Sequence, residues 1–390
     1  MQTAERVTFF GESVIRKMTR LAMLHDAINL SQGFPDFEPA PALVEAAVAA
    51  LRDGHHQYSP TWGIGPLREK LAELYTERLG WDVDPAVHVT VACGVTEAMN
   101  AVMMGLLNPG DEIVIVEPAH ENYVPSAILA GAKAVGVPLE EPGYRLNAAR
   151  LAAAVHERTK AVVLNTPHNP TGRVFDEDEM VGLIEVVVEN DLALITDEIY
   201  DHILYDGRQH VYPGSIPEIA DRTVTVSGLS KTYAITGWRL GYVVAPTALS
   251  AAIRPVHDFL TVCAPTPLQV AAVTALNLPQ SYYDQMTADY HERRATIVDI
   301  LQELGFRTPT PEGAYYVLAD YSGVPIPQAK WDSTSFAEWM TVEIGVAVVP
   351  GTVFYSTPGH GDHSVRFAFP KKLATLQAAR ERMSRMLTNA

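Results

Sequence analysis

The chain has 390 residues, 47% of them apolar and 19% charged, and its formal net charge is −17. This length and balance predict a globular protein with a large core and two lobes, and the acidic charge disfavours nucleic acid, which binds to basic surfaces. Because the sequence has no run of about 18 apolar residues, no signal peptide at its start and only two cysteines, we expect no membrane span, no disulfide framework, no metal site and a cytoplasmic location.

Between about residues 85 and 246, short β-branched runs alternate with longer helical patterns. Nearly continuous apolar strands separated by helices are typical of a parallel sheet covered on both faces, so the predicted fold class is α/β. Ligand sites in such sheets form beyond the carboxyl ends of the strands. The predicted strands begin at His88, Glu112, Ala134, Ala161, Leu192, Val224 and Gly241.

The pattern changes beyond about residue 281. An amphipathic helix over residues 290–305 is followed by short strands near Tyr315, Val346 and Val365. These elements predict a smaller α+β lobe, which the N-terminal forty-odd residues would complete. The predicted division is an N-terminal arm that forms part of the small domain (1–45), a large domain (46–282) and a C-terminal small domain (283–390).

A lysine follows a predicted strand in the run Thr-Val-Thr-Val-Ser-Gly-Leu-Ser-Lys, at Lys231, and Arg239 follows in Gly-Trp-Arg-Leu-Gly. An amine between apolar walls has a lowered pKa, so it is nucleophilic near neutral pH and can hold an aldehyde cofactor covalently. The nearby arginine would hold the phosphate of that cofactor. Taken alone, the pattern also fits a strand that happens to end in a lysine and an arginine at the surface.

Asp197 ends another predicted strand, where a buried carboxylate needs a partner. A protonated heterocyclic nitrogen would be such a partner, and capping of a following helix would explain the residue equally well. Tyr200 would lie on the same turn, where it would either donate to a phenolate oxygen or pack in the core.

Two loops that follow predicted strands carry further binding signals. In residues 165–172 (Asn-Thr-Pro-His-Asn-Pro-Thr-Gly), two prolines and a glycine fix a loop in which Asn169 is extended or cis and can recognise a ring hydroxyl. Gly94-Val95-Thr96 follows a strand and opens a helix, whose free amides and dipole bind phosphate. The alternatives are a plain turn for the first loop and a turn capped by Thr96 for the second.

Arg366 interrupts the apolar run Val-Arg-Phe-Ala-Phe, and an arginine among buried residues needs an anion. A substrate α-carboxylate offers bidentate geometry, and a structural ion pair is the alternative. Gly33, in Ser-Gln-Gly-Phe-Pro, would bring the backbone close to that carboxylate or form a simple turn.

Together these motifs resemble the class I/II pyridoxal-phosphate-dependent aminotransferases of fold type I, in the branch of the kynurenine, glutamine, methionine and aromatic aminotransferases and the cysteine-conjugate β-lyases. The resemblance runs from about Ser13 to the C-terminus, with several long motifs in the expected order. It implies a large domain with a mostly parallel seven-stranded sheet, pyridoxal 5'-phosphate as cofactor, and amino acid and 2-oxo acid substrates. It also implies a homodimer in which Tyr58 reaches the phosphate in the partner's site.

The resemblance assigns a role to each candidate residue. The residues implied for catalysis and for the cofactor ring are Lys231 as the Schiff-base lysine, Asp197 on the pyridine nitrogen, and Asn169 and Tyr200 on the ring oxygen. The residues implied for the phosphate are Val95 and Thr96 through their amides, Ser230 and Arg239. The residues implied for the substrate carboxylate are Gly33, Asn169 and Arg366.

Three departures from the family pattern matter. His120 stands where the family usually stacks Tyr, Phe or Trp on the cofactor ring, and an imidazole can also titrate there. Gly228 stands where some members have a phosphate-binding serine, so that Ser230 or Ser227 must serve. The aromatic side chains of kynurenine enzymes, which favour aromatic substrates, are replaced by Ile15 and Val262.

The predicted function is transfer of an amino group from an L-amino acid to a 2-oxo acid, with Lys231 moving a proton between Cα and the cofactor. One alternative keeps the cofactor but performs β- or γ-elimination, replacement or ring formation on an amino acid with a leaving group; His120 favours it, and motifs do not separate the two. Another is the ligand-sensing domain of a transcription regulator. The acidic charge disfavours it, and we expect no DNA-binding module ahead of the chain.

Overall fold

The computed structural model describes residues 4–388. Residues 1–3, at the start of the predicted N-terminal arm, and residues 389–390, at the end of the predicted C-terminal domain, lie outside the described residues. The expectation of no signal peptide also concerns residues 1–3 in part. Within residues 4–388, none of the helices combines the length and the apolar character needed to cross a membrane.

The helices of the described part are α1 (Val14–Leu24), α2 (Pro41–Arg52), α3 (Gly65–Leu79), α4 (Val95–Leu106), α5 (Tyr123–Leu129), α6 (Ala148–Ala153), α7 (Glu177–Glu189), α8 (Thr247–Thr261), α9 (Thr266–Leu276), α10 (Gln280–Glu303), α11 (Ser333–Trp339) and α12 (Leu373–Thr388). The strands are β1 (Ile28–Asn29), β2 (Val89–Ala92), β3 (Glu112–Glu117), β4 (Lys133–Pro138), β5 (Thr159–Asn165), β6 (Ala193–Asp197), β7 (Thr223–Gly228), β8 (Gly241–Val244), β9 (Tyr316–Asp320), β10 (Val346–Ala347), β11 (Val349–Pro350) and β12 (Ser364–Ala368).

The central sheet has seven strands in the order β2-β8-β7-β6-β5-β3-β4. Strand β8 runs antiparallel to both of its neighbours, and every other pair in the sheet is parallel. This confirms the predicted α/β class and the mostly parallel seven-stranded sheet. The sequence reveals these strands because most of them are buried and rich in β-branched residues. Their shared carboxyl edge brings together the residues that follow β5, β6 and β7.

The C-terminal part of the chain forms a three-stranded antiparallel sheet in the order β11-β12-β9. Strand β1 pairs in parallel with β10, so the N-terminal arm contacts this part of the chain. The short strand predicted near Val346 is present as two strands, because β10 pairs with β1 and β11 pairs with β12. The domain boundaries themselves stay a prediction.

The helix predicted over residues 290–305 is longer than its apolar pattern indicates. Helix α10 begins at Gln280. In its first two turns, exposed polar residues with bonds such as Gln280 to Asp284 at 3.0 Å and Gln285 to Asp289 at 2.7 Å alternate with Tyr282, Tyr283 and buried Met286, which pack against the core. The helix therefore runs across the predicted boundary between residues 282 and 283.

Candidate active site

A cavity of about 520 Å³ lies at the carboxyl edge of the central sheet, where the C-terminal part of the chain covers it. Eleven of the twelve predicted site residues line it: Gly33, Val95, Thr96, His120, Asn169, Asp197, Tyr200, Ser230, Lys231, Arg239 and Arg366. The twelfth, Tyr58, lies outside the cavity with 81% of its surface exposed. Eleven of the residues predicted from the sequence to form one site therefore do lie around one cavity.

Lys231 enters the cavity three residues after β7, whose six residues are all buried. Its amine donates to the carbonyl oxygen of Gly33 at 3.2 Å and lies near the rings of Tyr200 and Tyr315, at 6.0 and 5.8 Å from their centroids. Burial lowers the pKa of the Lys231 amine below its usual value. A larger fraction of the amine is therefore neutral and nucleophilic than for a lysine in water.

Asp197 is the last residue of β6, and its Oδ2 accepts a hydrogen bond of 2.6 Å from the phenol of Tyr123. Burial raises the pKa of the Asp197 carboxyl to about 6, although the Tyr123 hydrogen bond opposes that shift. Among the described residues a turn, not a helix, follows Asp197, and its Oδ1 accepts from the Ile199 amide of that turn at 3.4 Å, so the capping alternative holds for a turn and not for a helix. Tyr123 was missed by the sequence reasoning, because nothing local marks a tyrosine that lies 74 residues from its partner.

The start of helix α4 forms a cradle of the kind that can bind an anion. Gly94 adopts φ +80°, and the next two residues, Val95 and Thr96, begin the helix with free backbone amides and line the cavity. A Cβ on Gly94 would lie 2.3 Å from Nη2 of Arg239, so the guanidinium packs directly against this glycine. The side chain of Thr96 does not cap the helix, and that alternative is wrong.

The serine that accompanies this cradle is Ser230. It is buried and lines the cavity. Ser227 instead donates to the carbonyl oxygen of Glu198 at 3.3 Å, away from the cavity. Ser230, and not Ser227, is therefore placed to supply the phosphate-binding hydroxyl that Gly228 lacks.

Arg366 lies on the opposite wall, in β12, and is 1% exposed. Its Nη1 donates to Oδ1 of Asn169 at 2.9 Å and its Nη2 to the carbonyl oxygen of Ser31 at 2.7 Å. Within residues 4–388 its Nε has no hydrogen-bond partner and no carboxylate forms an ion pair with it, so the structural ion-pair alternative is wrong. A buried guanidinium with an unsatisfied donor can bind an anion.

The loop residues around Arg366 shape the same wall. The Asn169–Pro170 peptide bond is cis, one of the two conformations that the sequence predicts. Because Oδ1 of Asn169 already accepts from Arg366, its amide nitrogen is the group left to donate to a ligand. A Cβ on Gly33 would lie 2.1 Å from the hydroxyl oxygen of Tyr316, so only glycine fits here without displacing Tyr316. Tyr316, which bonds the Tyr200 hydroxyl at 3.0 Å, is a second lining residue that the sequence reasoning missed.

His120 lies at the cavity wall between the end of β3 and the start of α5. Its Nδ1 contacts the side chain of Asn122 and accepts from the Asn122 backbone amide at 3.3 Å. Burial lowers the pKa of the imidazole to about 4. The ring is therefore neutral near pH 7, and it can stack as an uncharged aromatic group.

The donor set of the cavity fits pyridoxal phosphate. The Arg239–Gly94 cradle with the first amides of α4 matches a phosphate group, and the buried carboxylate of Asp197 matches a protonated pyridine nitrogen. The amine of Lys231 matches an aldehyde. The unsatisfied Nε of Arg366 leaves one further anion site in the cavity, which matches a substrate carboxylate.

Comparison with known proteins gives a consistent result. The model of the family "Aminotransferase class I and II" matches residues 25–382. The chain is 37% identical over 377 residues to methionine aminotransferase of Escherichia coli, covering 96% of each chain, and 34% identical to human kynurenine–oxoglutarate transaminase 1, covering 94% of each. The solved structure of N-succinyldiaminopimelate aminotransferase from Mycobacterium tuberculosis superimposes with a TM-score of 0.94 at 35% identity, covering 99% of this chain and 100% of that one.

Proposed function

Because this chain belongs to the class I and II aminotransferases, which depend on pyridoxal phosphate, we propose that Lys231 takes and returns the substrate Cα proton as an amino group moves from an L-amino acid to a 2-oxo acid. The observation that carries this assignment is the position of the Lys231 amine, which shares one cavity with the Gly94–Arg239 anion cradle and with Arg366.

When bound, pyridoxal phosphate supplies an aldehyde that accepts the amino group and a pyridine ring that spreads the negative charge left at Cα. Asp197 acts on that ring: its ionised carboxylate holds a proton on the pyridine nitrogen, and the Tyr123 hydroxyl stabilises the ionised form. Tyr200, whose burial raises its pKa well above the usual value, stays protonated and donates to the ring oxygen.

The remaining residues orient the reactants. The amides of Val95 and Thr96, with Ser230 and Arg239, hold the phosphate, while His120 covers one face of the ring. Arg366 and the Asn169 amide hold the substrate α-carboxylate, so that the Cα–H bond faces the Lys231 amine. The lowered pKa of that amine suits it to accept a proton near neutral pH.

Labelling the Lys231 amine and then removing it by substitution tests this role. Borohydride reduction of the holoenzyme should attach the cofactor to the peptide that contains Lys231, as read by mass spectrometry. Lys231→Ala should lose that label and about 10²- to 10⁴-fold or more of its turnover. Lys330→Ala, at an exposed lysine outside the cavity, is the control and should keep both. A label on another lysine, or full turnover of Lys231→Ala, would disprove the role.

Transamination and elimination are separated by one single-turnover experiment. With an amino acid and no 2-oxo acid, a transaminase converts its cofactor to the amine form and releases no ammonia. An eliminating enzyme releases ammonia and a keto acid and leaves the cofactor unchanged. We expect the first result, because at pH 7 His120 is a neutral imidazole and lacks the acidic imidazolium proton that would assist a leaving group.

We further propose a homodimer, located in the cytoplasm, in which each Tyr58 reaches the partner's phosphate site. Exposed Tyr58 supports this, as does a contiguous apolar surface on α4 and α8. Phe259 is 92% exposed, and it lies beside Met104 and Leu260 in that surface. Exposed apolar patches of this kind are typical of subunit interfaces. Sedimentation of the holoenzyme should give twice the mass of the chain.

A further inference from the structure

One cation of the cavity has no role in the function proposed above. Four lysine or arginine side chains line it, and the proposed function uses Lys231, Arg239 and Arg366. The fourth is Arg16, on helix α1 at the rim. Within the described chain its guanidinium takes part in no hydrogen bond or ion pair; the nearby Glu12 has its carboxylate on Arg20 instead.

Helix α1 is held in place on the cavity wall. The Ser13 hydroxyl and the Val14 amide, at the start of the helix, both donate to the carboxylate of Glu121, the second of them at 3.1 Å. One turn further on, Thr19 donates to Gln32 at 2.9 Å. These contacts fix both sides of the stretch that carries Arg16.

The apolar side of the same stretch is anchored as well. Ile15 is 7% exposed and packs with Val349 and Phe354 from the C-terminal part of the chain. Phe354 also lies under the guanidinium of Arg366, at 4.9 Å from its ring centroid. Ile15, which is next to Arg16, and Arg366, which is proposed to bind the α-carboxylate, therefore contact the same ring, that of Phe354.

The charged side chains around Arg16 favour a substrate with an anionic side chain over one with a cationic side chain. Glu121 is the other charged side chain at this end of the cavity, but its carboxylate already accepts from Ser13 and Val14. Arg16 has no such partner among residues 4–388. In a chain of net charge −17, an arginine left unpaired at a site rim attracts anions locally against the overall field. The rim is thus suited to an anion.

We propose that Arg16 binds the distal carboxylate of a dicarboxylic amino acid or 2-oxo acid, while Arg366 binds its α-carboxylate. This inference rests on the proposed transamination and adds a substrate class to it. Arg16 is then a specificity-determining residue: it contributes to binding of acidic substrates and leaves the chemistry at Cα to Lys231 and Asp197. A guanidinium is suited to this role because its donors match a carboxylate bidentately.

The test compares acidic and neutral substrates in the half-reaction of the holoenzyme. Arg16→Gln should lower kcat/KM for L-glutamate about 10- to 100-fold, the range for loss of one charged hydrogen-bonding contact, and leave L-methionine within about twofold. Arg16→Lys should restore part of the loss, and Arg16→Glu should deepen it. Arg20→Gln is the matched control, because Arg20 lies on the same helix but pairs with Glu12 outside the cavity.

Equilibrium binding gives a readout that does not depend on turnover. Calorimetry should show glutarate binding to the wild-type holoenzyme and about 10-fold or more weaker binding to Arg16→Gln, while butyrate binds both alike. Equal losses for glutamate and methionine, an unchanged ratio between them, or no glutarate binding to the wild type would overturn the inference. A selective loss for O-phosphoserine alone would overturn the carboxylate assignment.

The same experiments separate this inference from the proposed function. If the wild-type enzyme fails to transaminate any amino acid, the proposed function itself is wrong. If methionine reacts normally and only the predicted selectivity of Arg16→Gln is absent, the role of Arg16 alone is wrong.

Discussion

The Tyr123 phenol donates to Oδ2 of Asp197 at 2.6 Å, joining the first residue of α5 to the last residue of β6. Burial is the main cause that raises the pKa of Asp197, and this hydrogen bond is the first of the contacts that limit the rise to about 6. The ionised carboxylate is the form that pairs with a protonated pyridine nitrogen. If Asp197 pairs with the cofactor as proposed, this contact sets the pH range over which the site holds it.

Tyr123→Phe tests this relationship. For an acid whose pKa is raised, the ionised fraction falls as pH falls through the pKa, so wild-type cofactor affinity should weaken below about pH 6. Loss of a hydrogen bond to a charged group, about 1.5–3 kcal/mol, should move that midpoint upward by about 1–2 pH units. Titration of the apoenzyme with cofactor at several pH values measures it. Tyr205→Phe, at a buried tyrosine bonded to the Ala314 carbonyl, is the control, and an unchanged midpoint in Tyr123→Phe would contradict the role.

Gly94→Ala should disable the phosphate cradle. The new Cβ would lie 2.3 Å from Nη2 of Arg239 and would displace the guanidinium, so cofactor affinity should fall about 10- to 100-fold. Gly80→Ala is a matched control, because Gly80 also has a positive φ, +72°, but a Cβ added there would meet no other atom within 4 Å. It should cost about 1–2 kcal/mol in the free energy of unfolding and leave cofactor binding intact. Equal binding losses in both variants would assign the effect to backbone strain.

Much of the site is predictable from the sequence because its residues follow apolar strands. Asp197 and Lys231 are polar groups at or just after the ends of buried runs, and parallel strands bring their carboxyl ends to one edge. The same reasoning fails for Tyr123 and Tyr316, whose partners are distant in sequence and whose surroundings look like ordinary core. The rim of the cavity is also hidden, since in the sequence Arg16 is one more charge on an amphipathic helix.

His120 should not control the pH dependence of the reaction. Because burial lowers the pKa of its imidazole to about 4, the ring is neutral throughout the range of about pH 6–9 and does not change charge there. His120→Phe should keep an aromatic face and give a kcat/KM profile parallel to that of the wild type over this range. His120→Ala should bind cofactor about 3- to 10-fold more weakly, as expected for loss of a stacked ring worth about 0.5–1.5 kcal/mol. An inflection that disappears in His120→Phe would identify the imidazole as a titrating catalytic group.

Arg366→Lys should separate substrate binding from cofactor binding. Lysine keeps the charge but cannot bond Asn169, Ser31 and a carboxylate at once, so kcat/KM should fall about 10- to 100-fold for every amino acid. Cofactor affinity should stay within about threefold. Arg307→Lys, at an exposed arginine beside Asp320, is the control and should leave both unchanged. A loss confined to acidic amino acids would move the α-carboxylate role away from Arg366.

Mixed dimers test whether Tyr58 serves the partner's site. Tyr58→Ala and Lys231→Ala homodimers should each be impaired, the first in cofactor affinity and the second in turnover. If the sites are shared, a heterodimer of the two variants combines both defects in one site and leaves the other with an intact Lys231 and an intact partner Tyr58. Differently tagged, co-expressed and purified heterodimers should then show about half of the wild-type kcat with wild-type cofactor affinity. If each Tyr58 served its own chain's site, no site would be intact, and the heterodimer would gain nothing over the Tyr58→Ala homodimer.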